Sequence, residues 1–416
     1  MPEFELLPVT AAGTRFVELA EKHAADFAPR VPEADRTATF QTQNLDEMKA
    51  SGFTSAPVPV EFGGLGVRSV HDLALGMNRL GRTDPSTAIA INMHLSIVWA
   101  ADFLHRLAKG TDNAAQTEAM AGLLQQMASG LIAAASNTEP GTTMGWPMTE
   151  ATKVDEGWSL SGRKTFGTLS PAADLVLVSC RTARGDGTYE SGFAIVPGGA
   201  PGMTFLDDWD TLGMRSSGSN GAVYDGCLLP ESSMMSGASW GDSGGVMGVS
   251  LGAVTNLGLI AAFVGIAEAA RDLAIDLART RTKQPSGAPV AHRYGIQHAV
   301  AEMEADLATC RAHLSWAGRL LDERVANVAP QDLNIQDLYA IQGQFQCSKL
   351  VVNRKAIDVV DKALQISGGS GYFSSSPLSR MYRDVRAGPF MQPYSPNEVY
   401  EYIGQVALGL PPAIQT

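Results

Sequence analysis

Three segments of this 416-residue chain combine hydroxyl, amide, aromatic and glycine residues in patterns that suit a planar, polar ligand. The first is Ser136-Asn137-Thr138-Glu139-Pro140-Gly141-Thr142-Thr143. Pro140-Gly141 predicts a turn, and the hydroxyls and backbone N–H groups around it could meet the polar edge of a ring. Taken alone, the segment reads equally as an ordinary β-turn. The second, Gly162-Arg163-Lys164-Thr165-Phe166-Gly167-Thr168, sets an aromatic beside hydroxyls. Phe166 would flank a planar cofactor or else pack in a core. The third, Gln365-Ile366-Ser367-Gly368-Gly369-Ser370-Gly371, follows a long helical run. One glycine is enough to stop a helix. Three in four positions let the backbone approach a phosphate or nucleotide.

Other chemistries are excluded. The chain has no Walker A loop, no GxGxxG after a strand, no HExxH and no GxSxG. Its histidines (His23, His71, His94, His105, His292, His298, His313) show no metal-ligand spacing, so no metal site is expected. Cys180, Cys227, Cys310 and Cys347 lie far apart without a CxxC pair, which suits a reduced cytoplasm. A formal charge of -12 argues against nucleic acid as a partner. The acidic start Met1-Pro2-Glu3-Phe4-Glu5 shows no secretory signal. Met247–Ala267 is uncharged and long enough to cross a bilayer. Ser250, Thr255, Asn256 and several glycines interrupt it, so the expectation is a buried bundle helix without membrane insertion.

The elements that must position these segments fall into three zones. Residues 1–129 read as helices, with Phe16, Val17, Leu19, Ala20, His23 and Ala24 at helical spacing and a further helix after Asp84-Pro85-Ser86. Residues 130–236 carry short β-type runs at Trp158–Ser161, Leu175–Ser179, Gly192–Val196 and Ala222–Tyr224, separated by glycine turns, which suggests a compact barrel or sandwich. Residues 237–416 return to the helical period in long segments near 245–282, 292–325 and 331–366, with a short helix near 397–409. Helices of that length imply a bundle.

In this order the pieces resemble the acyl-CoA dehydrogenase superfamily of flavoproteins over nearly the whole chain. Val58-Pro59-Val60-Glu61-Phe62-Gly63-Gly64 is similar to the family's P-E-Y-G-G loop, and Thr138-Glu139-Pro140-Gly141 to its T-E-P-G turn. Phe166-Gly167-Thr168 matches the aromatic-x-Thr element. Leu212-Gly213-Met214-Arg215 with Leu229-Pro230 matches the G-M-R … P end of the β domain. Gln365–Gly371 with Arg383-Asp384 matches Q-I-x-G-G-x-G … R-D. The resemblance implies a mainly α fold: an N-terminal helical domain, a middle β-barrel and a C-terminal four-helix bundle. It implies FAD, with FMN as the alternative. Thr138 and Thr168 would bond the flavin ring, Phe166 would cover one face, and Arg281 or Lys283 would meet the pyrophosphate. Gln365, Gly368 and Gly369 would reach the adenosine of FAD in a neighbouring subunit, which implies a homodimer or homotetramer. A small-molecule substrate is expected, acyl-CoA by the family's example.

The chemical side departs from that pattern. The family's dehydrogenases need a carboxylate to take the α-proton, and an amide cannot do so. The usual glutamate position, eight residues after Arg-Asp, holds Gln392. The alternative zone reads Val254-Thr255-Asn256-Leu257. Thr142-Thr143-Met144-Gly145-Trp146 replaces the family's A-G-S-D. The favoured expectation is dehydrogenation of an acyl thioester with a displaced base, Glu398 or Glu401, and electron-transfer flavoprotein as redox partner. The alternative is the superfamily's flavin monooxygenase branch, in which reduced flavin and O₂ oxygenate a small organic molecule, His94 faces the ring and a flavin reductase is the partner. A third is a flavin-binding partner subunit without turnover.

Overall fold

In the computed structural model, residues 4–143, 145–241, 245–391, 394–410 and 412 are described. The chain opens with six helices: α1 (Ala11–Phe27), α2 (Val31–Thr37), α3 (Thr42–Ala50), α4 (Val70–Gly81), α5 (Pro85–Gly110) and α6 (Ala114–Ala128). Their starts follow capping chemistry. Asp84 accepts from the Thr87 amide at 3.0 Å and Pro85 occupies the first turn of α5. Asp72, buried in α4, holds the amides of Val9 and Thr10 and so fixes where α1 begins.

Eight strands follow: β1 (Ala133–Ser136), β2 (Glu150–Val154), β3 (Gly157–Gly167), β4 (Leu175–Ala183), β5 (Tyr189–Pro197), β6 (Met203–Phe205), β7 (Asn220–Leu229) and β8 (Met234–Ser239). They form one sheet in the order β6-β7-β3-β2-β4-β5-β8, and β1 lies parallel beside β4. Val176, Val178 and Cys180 of β4 alternate into a core with Leu160, Val196 and Tyr224. The four runs read from sequence lie inside β3, β4, β5 and β7. Strands β1, β2, β6 and β8 carry too few consecutive β-branched or aromatic residues to stand out.

The C-terminal part comprises α7 (Gly245–Thr280), α8 (Tyr294–Leu321) and α9 (Ile335–Ser367), then the shorter α10 (Pro377–Val385) and α11 (Pro396–Ala407). The nine-residue α10 buries Leu378, Met381 and Val385 on one face, but so few turns give the helical period little length in which to stand out. Both α5 and α7 are long and apolar enough to cross a membrane, yet 83% of each apolar window is buried within the fold. The uncharged Met247–Ala267 run lies within α7, and from Asn256 to Ala267 it is fully buried.

The two helical parts interlock. A Cβ on Gly81 of α4 would stand 2.5 Å from the Ala262 carbonyl oxygen of α7, and one on Gly265 would stand 2.3 Å from that of Asn78. Beside this contact the buried Glu268 carboxylate accepts from Arg82 at 2.9 Å, Arg311 at 2.7 Å and Asn78 at 3.1 Å. Burial works against its charge, but Arg82 and Arg311 outweigh it and hold its pKa below the ordinary value.

Candidate flavin site

The first two segments meet at the end of β1. His94 of α5 accepts the Ala133 amide on Nδ1 at 3.1 Å, and its Nε2 donates to the Thr54 carbonyl at 3.1 Å. Asp174 accepts from Ile132 at 2.8 Å. These bonds fix the entry to the Thr138–Gly141 turn. The Thr138 carbonyl then accepts the Thr165 amide at 2.8 Å, joining the turn to β3. From inside, Glu139 pairs with Lys164 at 2.5 Å and accepts from the amides of Met148 and Thr149. Lys164 is fully buried and also donates to Ser179 at 2.9 Å. Burial opposes the Glu139 charge, but Lys164 and the two amides keep its pKa lowered. Sequence reasoning missed this pair. The available signal was a lysine two residues before Phe166 in a strand that is otherwise core-forming.

Phe166 adopts a left-handed backbone (φ 55) and leaves 59% of its surface exposed. Its edge is set against Trp209, with ring centroids 5.9 Å apart at 82°. A bulky residue rarely takes that backbone conformation, and an exposed one in it suits a face offered to a flat ligand. Thr168 Oγ1 lies 2.9 Å from Ser219 Oγ. Asn137 Oδ1 and Thr143 Oγ1, on either side of that turn, are buried without partners. Orphaned polar atoms beside an exposed aromatic fit the polar edge and apolar face of an isoalloxazine ring.

The Gly213-Met214-Arg215 and Arg383-Asp384 motifs form a joint between the β domain and α10. Met214 (φ 54) donates its amide to the buried Asp384 at 2.7 Å. A Cβ on Gly213 would stand 2.4 Å from the Arg383 carbonyl oxygen. Arg383 in turn reaches Asp35 and the Leu212 carbonyl.

The remaining cofactor candidates cluster separately. Arg281, one residue past α7, donates to the Ser367 carbonyl and to Ser370 Oγ, both at 2.5 Å. It therefore lies against the Gly368–Tyr372 turn. Gly368 (φ 62) and Gly369 are exposed with open space where a Cβ would be. Gln365 is exposed and bonds Asp361 at 2.6 Å, and Lys283 is exposed.

The catalytic candidates are not gathered together. His94 has no solvent exposure and both ring nitrogens bond backbone groups. Burial pushes its pKa down to about 4, and the neutral ring bridges the Thr54 carbonyl and the Ala133 amide of β1. Glu398 caps α11, accepting the Ser395 amide at 2.5 Å in a capping box. Glu401 is exposed on the same helix. Gln392 lies outside the described residues. Its neighbours are held by Lys349, a fully buried lysine of α9 that donates to the carbonyls of Met391 (2.5 Å) and Tyr394 (2.8 Å). Burial lowers its pKa to about 7, with Glu398 opposing. Lys349 escaped sequence reading because a lysine every few turns on a long helix is usually a solvated one.

Family models describe the same arrangement. The acyl-CoA dehydrogenase N-terminal domain matches residues 13–130, the middle domain 133–227 and the C-terminal domain 257–391. The chain belongs to the acyl-CoA dehydrogenase family. Like other members it is a flavin-dependent oxidoreductase, with FAD or FMN as cofactor. Among its relatives, this acyl-CoA dehydrogenase homologue is 36% identical to the amino sugar nitrososynthase DnmZ of Streptomyces peucetius, over 97% of this chain and 95% of that one. It is 33% identical to the L-evernosamine nitrososynthase of a Micromonospora species, over 97% and 92%. Among solved structures, KijD3 in complex with FMN and dTDP-3-amino-2,3,6-trideoxy-4-keto-3-methyl-D-glucose superposes with a TM-score of 0.88 at 29% identity, covering 98% of this chain and 96% of that one.

Proposed function

We propose that this flavoprotein oxygenates the amine nitrogen of a nucleotide-linked amino sugar. The whole-length similarity to amino sugar nitrososynthases carries this reading. The catalytic residues support it. Acyl thioester dehydrogenation needs a buried carboxylate base. Glu398 is engaged as a helix cap, Glu401 is exposed, the family's usual base position reads Gln392, and the alternative zone Val254-Thr255-Asn256-Leu257 holds no carboxylate. Oxygenation of an amine has no such need, because a neutral amine is itself the nucleophile. Leaving carboxylates out of its surroundings keeps the amine from being held as the ammonium ion.

Thr138, Thr168 and Phe166 would hold the flavin ring, and Arg281 with the Gly368–Gly369 turn would meet the phosphate-bearing end of the cofactor. Reduced flavin, when bound, supplies the two electrons with which one O₂ gives an oxygen atom to the amine and leaves the other as water. A second round with another O₂ and two more electrons takes the hydroxylamine to the nitroso compound and water. A separate flavin reductase would supply those electrons, and we place the reaction in the cytoplasm. His94 serves the site by fixing β1, without titrating during turnover.

The test incubates the flavin-loaded protein with a flavin reductase, NADH, O₂ and a thymidine diphosphate 3-amino sugar. Mass spectrometry should show a hydroxylamine and then a nitroso product, both dependent on O₂ and the reductase. Anaerobic bleaching of the bound flavin by an acyl-CoA, with no oxygenated sugar, would overturn the reading in favour of a dehydrogenase.

A further inference from the structure

Among the described residues, one cluster outside the flavin site brings together the ligand types of a metal ion. One ring nitrogen of His23, one carboxylate oxygen of Asp26 and one of Glu47 all lie within 4.8 Å of one another. His23 and Asp26 stand about one turn apart on α1, and Glu47 comes from α3. The sequence hides the set, because the pair on α1 means little until α3 closes beside it.

The hydrogen bonds around His23 decide which nitrogen is available. Its Nε2 lies 2.8 Å from Ser51 Oγ, and that hydroxyl gives its own proton to the Met48 carbonyl at 3.0 Å. A hydroxyl has a single proton, so Ser51 accepts here and Nε2 carries the hydrogen. Burial, opposed by Asp26 and Glu47, holds the ring's pKa below the ordinary histidine value, so near neutral pH it is uncharged. Nδ1 then presents a lone pair. It is buried without a hydrogen-bond partner, in a side chain only 3% exposed. Phe27 stacks on the ring at 5.2 Å and Phe53 meets it edge-on at 5.5 Å, which fixes its orientation.

An imidazole lone pair beside two carboxylates is a set of acceptors that lacks a cation. Glu47 stays ionised, because Arg30 donates to both its oxygens at 3.0 Å and lowers its pKa. Each of those oxygens keeps a second lone pair. Asp26 is exposed, so its side chain can close on an ion from the solvent side. Zinc takes nitrogen and oxygen ligands at about 2.0–2.2 Å and accepts water in a fourth position. Magnesium and calcium favour oxygen alone and would leave Nδ1 unmatched. Ser51 on Nε2 and Arg30 on Glu47 supply the outer hydrogen bonds that orient such ligands.

We propose that His23, Asp26 and Glu47 form a zinc site that clips α1 to α3. His23 Nδ1 and one oxygen of each carboxylate are the ligands, and water completes the shell. The site goes beyond the oxygenation reading and does not depend on it.

The test strips the flavin-loaded full chain with EDTA and titrates it with zinc chloride by calorimetry, beside Asp26→Asn, Glu47→Gln and Ser51→Ala. The wild type should take up zinc and melt at a higher temperature with it, whereas magnesium chloride should not raise the melt. Asp26→Asn and Glu47→Gln should each weaken zinc binding about tenfold or more, and Ser51→Ala, which frees the tautomer but removes no ligand, about 10–100-fold. Asp26→Asn alters an exposed side chain, so its zinc-free melting temperature should match the wild type and separate loss of a ligand from loss of the fold. No zinc uptake by the wild type, or uptake that Asp26→Asn and Glu47→Gln leave unchanged, would overturn the inference.

Discussion

Asp384 Oδ1 accepts the Met214 amide at 2.7 Å, tying α10 to the end of the β domain across 170 residues of chain. The carboxyl is completely buried, and burial, opposed by Arg380, raises its pKa to about 6. The folded protein therefore binds a proton here more tightly than the unfolded chain does. Its contribution to stability is fully present below the ordinary aspartate pKa and is lost as pH rises through about 6. Asp384→Asn keeps the acceptor without the charge. The stability of this variant relative to wild type should climb between about pH 4 and about pH 6 and then level off, by at most about 3 kcal/mol in all. Thermal melts across that range check it. A gap that stays flat or narrows with rising pH would sink the idea.

The Glu139–Lys164 pair makes a second prediction. Lys164→Met leaves a buried carboxylate beneath the flavin turn without its counter-charge. Breaking such a pair costs about 3–5 kcal/mol. Chemical denaturation should show that loss, with reduced flavin retention. The double variant Lys164→Met, Glu139→Gln should recover much of it. No recovery would mean that the charges are not coupled.

How far the sequence reveals this site depends on where each side chain finds its partner. The Thr138, Phe166 and Gly368 segments are legible because turn and glycine chemistry is local. The three-part fold is legible for a similar reason, since periodicity changes near the boundary between α6 and β1. The structural roles of Lys164, Lys349 and Asp384 are not legible, although Arg383-Asp384 stands out as a motif, because each finds its partners 25 to 170 positions away. Glu398 misleads in the opposite way. Its position suggests a base, whereas Ser395-Pro396-Asn397-Glu398 is a local capping signature that claims the carboxylate for α11.

Glu398→Gln and Glu401→Gln should both retain product formation within about twofold, because a glutamine still caps a helix and neither carboxylate moves a proton in the proposed reaction. A displaced catalytic base would instead lose about 10²–10⁴-fold. Steady-state rates on the amino sugar separate the two outcomes. Glu398→Ala should cost about 1 kcal/mol of stability through the lost cap.

His94 is neutral in the folded state and its pKa is lowered to about 4, so its contribution to stability is present above the ordinary histidine pKa and is lost as pH falls through the folded value. His94→Gln should flatten the acid side of the stability profile between about pH 6 and about pH 4. The pH dependence of turnover near neutrality should be unchanged. A loss of a kinetic ionisation near pH 6 to 7 in this variant would show that His94 titrates during catalysis.

The knot of Glu268 with Arg82, Arg311 and Asn78, set beside the contacts at Gly81 and Gly265, has a mechanical consequence. The first and last thirds of the chain meet backbone to backbone around a shared buried charge, while the strands are inserted between them in sequence only. The lines along which this molecule comes apart therefore do not follow chain order. A protease that clips the loops bordering the sheet should release a noncovalent helical remnant built from both ends of the polypeptide, and no fragment ending near residue 130 should hold its shape alone.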